Sequence, residues 1–155
     1  MKKILIAYFT KGGATKEYAT SIAETLSHNT IEVTTINLSD KIPEITEYDV
    51  IILGTGVRMF QVYRRWKKIL KQKMLREKQL FLFLSSGMAI EEPEKAVEKF
   101  LDPLAKKYDL KPASMVSFPG KTPEKWAKYD EGLKGTVKPD LAKSWAEQIM
   151  QQINH

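Results

Sequence analysis

The chain has 155 residues, 25 Lys and Arg against 19 Asp and Glu for a formal net charge of +6, and 43% apolar residues, a balance of globular proteins that sets aside a disordered chain. With no Cys and only His28 and His155, disulfides, thiolate nucleophiles, iron–sulfur clusters and the usual nitrogen or sulfur metal sites are excluded, so redox chemistry requires a bound organic cofactor. This length suits a single domain over residues 1–155, able to bury roughly 68–70% of its extended surface.

Residues 3–9 form an almost unbroken apolar run, the mark of a strand buried on both faces as in a parallel sheet. Thr10-Lys-Gly-Gly-Ala-Thr15 follows as a turn, and residues 16–27 continue as a helix with Tyr18, Ala19, Ile22, Ala23 and Leu26 on one face and His28 and Asn29 closing it. Residues 31–36 alternate and are β-branched, a second strand nearer an edge. From Asn37 to Tyr48 the pattern is weak, Pro43 interrupts it, and at most a short helix fits. Residues 49–54 are a third buried strand, and Met59, Phe60, Tyr63, Trp66, Ile69 and Leu70 mark the apolar face of a second helix. Residues 79–84 are strand four; a third helix opens near Pro93, with Pro103 kinking or dividing it. Strand five lies within residues 113–118, and the last helix runs from Pro139 to about Ile153, burying Leu141, Ala142, Trp145, Ile149 and Ile153.

Strands alternating with helices predict an α/β fold with a doubly wound five-stranded parallel sheet, whose ligands sit at the carboxyl ends of the strands. The residues after strands one, three and four therefore carry the reading. In the first turn Gly12 and Gly13 permit a tight backbone with amides turned inward, Thr10 and Thr15 add hydroxyls, and the next helix contributes unpaired N–H groups and its dipole, a nest suited to a phosphomonoester. An ordinary strand-to-helix connection with a Thr cap is the plainer reading of the same residues. A P-loop is ruled out because no Gly-Lys-Ser/Thr follows, and a dinucleotide fingerprint because only two glycines stand here. After strand three comes Gly54-Thr-Gly-Val-Arg-Met-Phe60, and after strand four Ser85-Ser-Gly-Met88, each joining glycine and hydroxyls to a larger apolar side chain, as the walls of a flat ring require. Ser85, Ser86 and Gly87 lack the spacing of a nucleophile elbow. Strand three ends in Gly54 rather than a phosphorylatable Asp.

The first turn resembles the phosphate loop of the flavodoxin-like family, in which Ser or Thr, two or three residues, Gly, one residue and Thr wrap the FMN phosphate. Thr10, Gly13 and Thr15 match, while Gly12 stands where most flavodoxins carry another hydroxyl. This shortened form is similar to the flavodoxin-domain group that includes the menaquinone-dependent protoporphyrinogen dehydrogenases. The resemblance implies strand order 2-1-3-4-5 and FMN as cofactor. It implies the phosphate on Thr10, Lys11, Gly12, Gly13, Ala14 and Thr15, and the isoalloxazine between Thr55, Gly56, Val57, Arg58, Met59 and Ser85, Ser86, Gly87, Met88. It further implies an FMN-dependent oxidoreductase exchanging electrons with a small aromatic or quinone-type substrate, with a non-catalytic carrier meeting a redox protein as the alternative. Arg58 is the catalytic candidate, placed to stabilise negative charge on the reduced ring or the substrate; a surface arginine is the plainer reading.

Electron-carrier flavodoxins are typically acidic, and this chain departs from them. Nine cations (Arg58, Arg64, Arg65, Lys67, Lys68, Lys71, Lys73, Arg76 and Lys78) stand against Glu77 within residues 58–78, a net +8 that leaves −2 for the remainder. Such a segment suits peripheral contact with an anionic membrane or is a solvated helix face, while nucleic acid is disfavoured because no base-stacking motif accompanies it. The N-terminal apolar run is too short for a signal peptide and no stretch of about 18 apolar residues occurs, so a soluble cytoplasmic protein is expected. Residues 119–138, rich in Pro and Gly with Trp126 and Tyr129 three apart, form a long loop expected either to shape access to the flavin or to be pinned on the last helix.

Overall fold

The computed structural model describes residues 2–10, 13–58, 61–120 and 137–153, with residue 58 described through its backbone. Its strands in chain order are β1 (Lys2–Phe9), β2 (Ile31–Asn37), β3 (Val50–Arg58), β4 (Gln61–Val62), β5 (Gln79–Ser86) and β6 (Ser114–Pro119). Five of them are parallel, in the order β2-β1-β3-β5-β6, and the two-residue β4 pairs antiparallel with the end of β3. Counting parallel strands alone, this is the expected flavodoxin-like order.

Successive side chains of a strand point to opposite faces, so a sheet covered on both sides needs apolar residues at every position. On one face Ile4, Ile6, Ile52, Phe81 and Phe83 pack under α1 (Ala14–Leu26) and the C-terminal helix α5 (Pro139–Ile153). On the other, Leu5, Ala7, Ile51, Leu53, Leu82 and Leu84 pack under α2 (Arg64–Leu70), α3 (Pro93–Ala96), a π-helical stretch (Val97–Leu101) and α4 (Asp102–Lys107). Each such Leu, Ile or Phe contributes roughly 1.5–3 kcal/mol of transfer free energy. These residues hold the strand ends, and the loops leaving them, in a fixed frame.

Several expectations are corrected. Strand three does not stop at Gly54 but runs to Arg58, then pairs back through Val57 with Val62 and Arg58 with Gln61. Consequently the second helix starts at Arg64 rather than near Met59, with Tyr63 at its N-cap. Helix one begins at Ala14 and is closed by Ser27, whose amide and hydroxyl both donate to the Ala23 carbonyl, rather than by His28 and Asn29. Pro103 divides the third helix as expected: the Asp102 N–H reaches five residues back to Val97, a widened turn that accommodates the proline ring and its missing donor. Leu141, read as core, is 46% exposed, while Ala142, Trp145, Ile149 and Ile153 are buried as read.

Candidate functional site

At the carboxyl end of β1 the chain turns into α1 through Gly13, whose φ of 90° lies in the left-handed region that a Cβ disfavours. The Gly13 N–H donates to Thr10 Oγ1 at 3.0 Å, closing the turn from within. The first intrahelical bond, Glu17 N–H to the Gly13 carbonyl, is 3.1 Å. It leaves the Ala14, Thr15 and Lys16 amides without an intrahelical acceptor, at the positive end of the helix dipole. Because Thr10 Oγ1 accepts from Gly13, its own proton is left to donate outward.

Two more strand ends meet this turn. Thr15 is fully buried, and its Oγ1 lies 2.7 Å from Ser85 Oγ, at the end of β5. Gly56 on β3 stands opposite Ser85 in the strand register. A Cβ there would lie 3.5 Å from Thr15 Oγ1 and 3.6 Å from both Ser85 Oγ and the Tyr63 ring, so the glycine leaves a methyl-sized slot walled by two hydroxyls and an aromatic edge. Tyr63 in turn packs on Phe9, ring centroids 4.7 Å apart and tilted by 48°.

Thr10, Gly13, Ala14, Thr15, Gly56 and Ser85 are thus gathered at the carboxyl ends of three adjacent parallel strands. Others of the candidate residues turn elsewhere. The Thr55 hydroxyl donates to the Gly56 carbonyl at 2.9 Å, and Ser86 Oγ accepts the Ala89 N–H at 3.3 Å. Val57 and Met88 pack against the core on the α2 side, and Gly87 is exposed. Lys11, Gly12, Met59 and the Arg58 side chain lie outside the described residues, as do Trp126 and Tyr129.

Sequence reasoning missed Tyr63, because its spacing to Trp66 and Leu70 reads as helix face. It also missed Tyr18. This fully buried tyrosine on α1 donates its hydroxyl to the Pro119 carbonyl and accepts the Lys138 N–H at 3.1 Å, tying together the two ends of the 120–137 connection. Burial raises the Tyr18 pKa, the Lys138 amide partly offsets this, and the Glu17 charge adds to the rise. Tyr8 is shifted the same way by burial and then by Asp40. Beyond β6, Gly120 donates its N–H to the Ser86 carbonyl at 3.0 Å, and a Cβ there would press to 3.1 Å on the Ser86 nitrogen.

The residues fit a phosphorylated planar cofactor: orphan amides and a spare hydroxyl for the anion, and beside them a slot under an aromatic edge. No carboxylate stands within residues 10–15, 54–58 or 85–88 to repel an anion. Among the described residues no cluster of His, Cys, Asp or Glu is arranged to hold a metal, and no helix is long and apolar enough to cross a membrane.

The fold is that of a doubly wound α/β protein, with a candidate anion site where the strand order switches. More narrowly, the chain belongs to the flavodoxin-domain family, whose model, described as Flavodoxin domain, matches residues 5–131. No curated protein matches the chain. Among solved structures it is similar to rubredoxin oxygen:oxidoreductase from Desulfovibrio gigas, at 16% identity and TM-score 0.68, covering 99% of this chain and 36% of that one. Flavodoxin 1 from Bacillus cereus shares 21% identity with TM-score 0.64, over 97% of this chain and 98% of that one. The Fusobacterium nucleatum flavodoxin bound to flavin mononucleotide shares 18% identity with TM-score 0.62, over 98% and 99%. At these identities the likeness is one of fold. The chain spans about a third of the oxygen oxidoreductase and nearly all of the two flavodoxins.

Proposed function

We propose that the protein binds FMN and uses it to move electrons. The observation carrying this reading is the meeting of Thr10, Gly13, Thr15, Gly56 and Ser85 at the carboxyl ends of β1, β3 and β5, where one hydrogen bond closes the first turn, a second joins that turn to β5, and a glycine slot on β3 lies beside them. The Ala14 to Lys16 amides and the Thr10 hydroxyl would hold the phosphate. Gly56 and Tyr63 would border the ring. Bound FMN supplies one- and two-electron redox chemistry. The protein's part is to bind and orient it, and to keep water from its buried edge. Purified protein reconstituted with FMN and freed of excess cofactor tests this directly: a retained flavin absorbance spectrum supports the reading, and its absence overturns it.

As electron acceptor or donor we favour a small aromatic or quinone-type molecule, making the chain an FMN-dependent oxidoreductase. Support comes from the charge, +6 overall and concentrated in residues 58–78, which departs from the acidic surface of carrier flavodoxins. The carrier reading has its own support in the end-to-end fold likeness to stand-alone flavodoxins. Turnover of free quinone by the FMN-loaded protein separates the two. Contact of the basic segment with an anionic membrane, where apolar quinones reside, belongs to the first reading.

A further inference from the structure

We propose that Ser85 is a positioning residue for the phosphate half of the site, acting through Thr15, an inference that rests on the FMN reading above. The two hydroxyls lie 70 residues apart in sequence and 2.7 Å apart in space, and their residues are 5% and 0% exposed respectively. One comes from the first turn of α1, which offers the phosphate amides; the other from β5, the strand that leads into Ser86, Gly87 and Met88. Gly56, opposite Ser85 in register, keeps the space beside the pair open, since a Cβ would lie 3.5–3.6 Å from both oxygens.

Each hydroxyl carries one proton and two lone pairs. One proton makes the shared bond, which holds Thr15, and with it the Ala14 to Lys16 amides at the helix terminus, against the end of β5. In that arrangement Ser85 sets the direction of the Thr15 hydroxyl and fastens the first turn of α1 to the sheet. Without Ser85 Oγ the Thr15 hydroxyl is buried and unpaired, a state costly enough to displace the turn. Phosphate and ring sites are then one unit joined by a single buried bond rather than two adjoining sites.

The test is a double-mutant cycle of Ser85→Ala and Thr15→Val, with Ser85→Thr as rescue. It is read by FMN and riboflavin affinity and, in the flavin-free protein, by hydrogen exchange of the Glu17 amide that closes the first helical turn. Losing a partner in a buried pair predicts an FMN affinity about 5- to 100-fold weaker for either single variant. Riboflavin affinity falls clearly less, Glu17 exchange is faster in both single variants, the double variant is no worse than the singles, and Ser85→Thr recovers. Additive losses, equal weakening of riboflavin, or unchanged Glu17 exchange overturns the proposal. Wild-type protein that fails to bind FMN overturns the cofactor reading instead, and the exchange cycle still decides whether Ser85 holds the turn. Should Ser85→Ala fail to fold, Ser85→Cys, with a weak S–H donor, replaces it with the same outcomes.

Discussion

A Cβ on Gly54 would fall inside the ring of Phe83, its register partner on β5, whereas one on Gly56 meets its neighbours at ordinary van der Waals distances. The two glycines therefore do different things. Gly54→Ala overpacks a fully buried aromatic and should cost about 1–3 kcal/mol, read as a lower urea midpoint. Gly56→Ala should unfold at nearly the wild-type midpoint but fill the slot beside Thr15, Ser85 and Tyr63, shifting FMN affinity and the flavin's reduction potential. Denaturation and flavin titration of both variants check this, and matching profiles would sink the distinction. Tyr18 carries a second prediction at this scale. Its pKa is raised above the ordinary 10.0 in the fold, chiefly by burial, so the folded state holds its proton longer than the unfolded state does. The resulting stabilisation is complete below pH 10.0 and is lost as pH climbs through that value toward the folded pKa. Tyr18→Phe should be less stable at neutral pH, leaving the Pro119 carbonyl and the Lys138 amide unpaired, yet should show a shallower alkaline decline. A decline as steep as wild type would contradict the assignment.

Among the elements, those with a strong period were legible in the sequence. β1 and β5 are apolar at nearly every position because both sheet faces are covered, and α5 begins at Pro139 and ends at Ile153 as its spacing predicted. What misled the reading was glycine inside a strand. Gly54 and Gly56 look like the end of β3, but they serve packing and space within it, and only the pairing with Gln61 and Val62 reveals the extension. Likewise the three candidate stretches could be read one by one in the sequence, while the hydroxyl pair joining Thr15 to Ser85 could not, because no local pattern encodes a contact across the sheet. The entrance to α1 is where local conformation and site coincide. At Gly13, with φ 90°, a side chain costs about 1–2 kcal/mol. Gly13→Ala should lower stability by about that amount while weakening FMN more than riboflavin, because the amides that follow it are the ones proposed to hold the phosphate. Calorimetry and the two titrations check this together, and equal weakening of the two flavins would place the loop outside phosphate binding.

For the molecule as a whole, the uneven charge is the feature that its family membership leaves unexplained. Residues 58–78 carry a net +8 while the remainder sums to −2, and the fold turns much of that surplus outward. On α2, Trp66, Ile69 and Leu70 are buried, while Arg64, Lys68 and the C-cap residue Lys71, spaced four and three apart, form an exposed stripe. Lys73 and Arg76 continue it, Arg76 lying 4.0 Å from Asp109. Each cation near an anionic bilayer contributes about 1 kcal/mol, and the attraction decays within a Debye length of roughly 8 Å at physiological salt. The expected result is co-sedimentation with vesicles containing phosphatidylglycerol or phosphatidylserine, no binding to pure phosphatidylcholine, and release as salt is raised. Reversing the stripe with Arg64→Glu, Lys68→Glu and Lys71→Glu removes at least three such contributions, a loss of about 100-fold or more in partitioning. The solvent-facing substitutions should leave the core and FMN affinity unchanged, which a flavin titration verifies on the same protein. If the reversed protein sediments like wild type, or if binding ignores lipid charge, the stripe does not meet a membrane. The same variant assayed for electron transfer with an acidic redox protein then shows whether the surplus steers a soluble partner to the flavin edge instead.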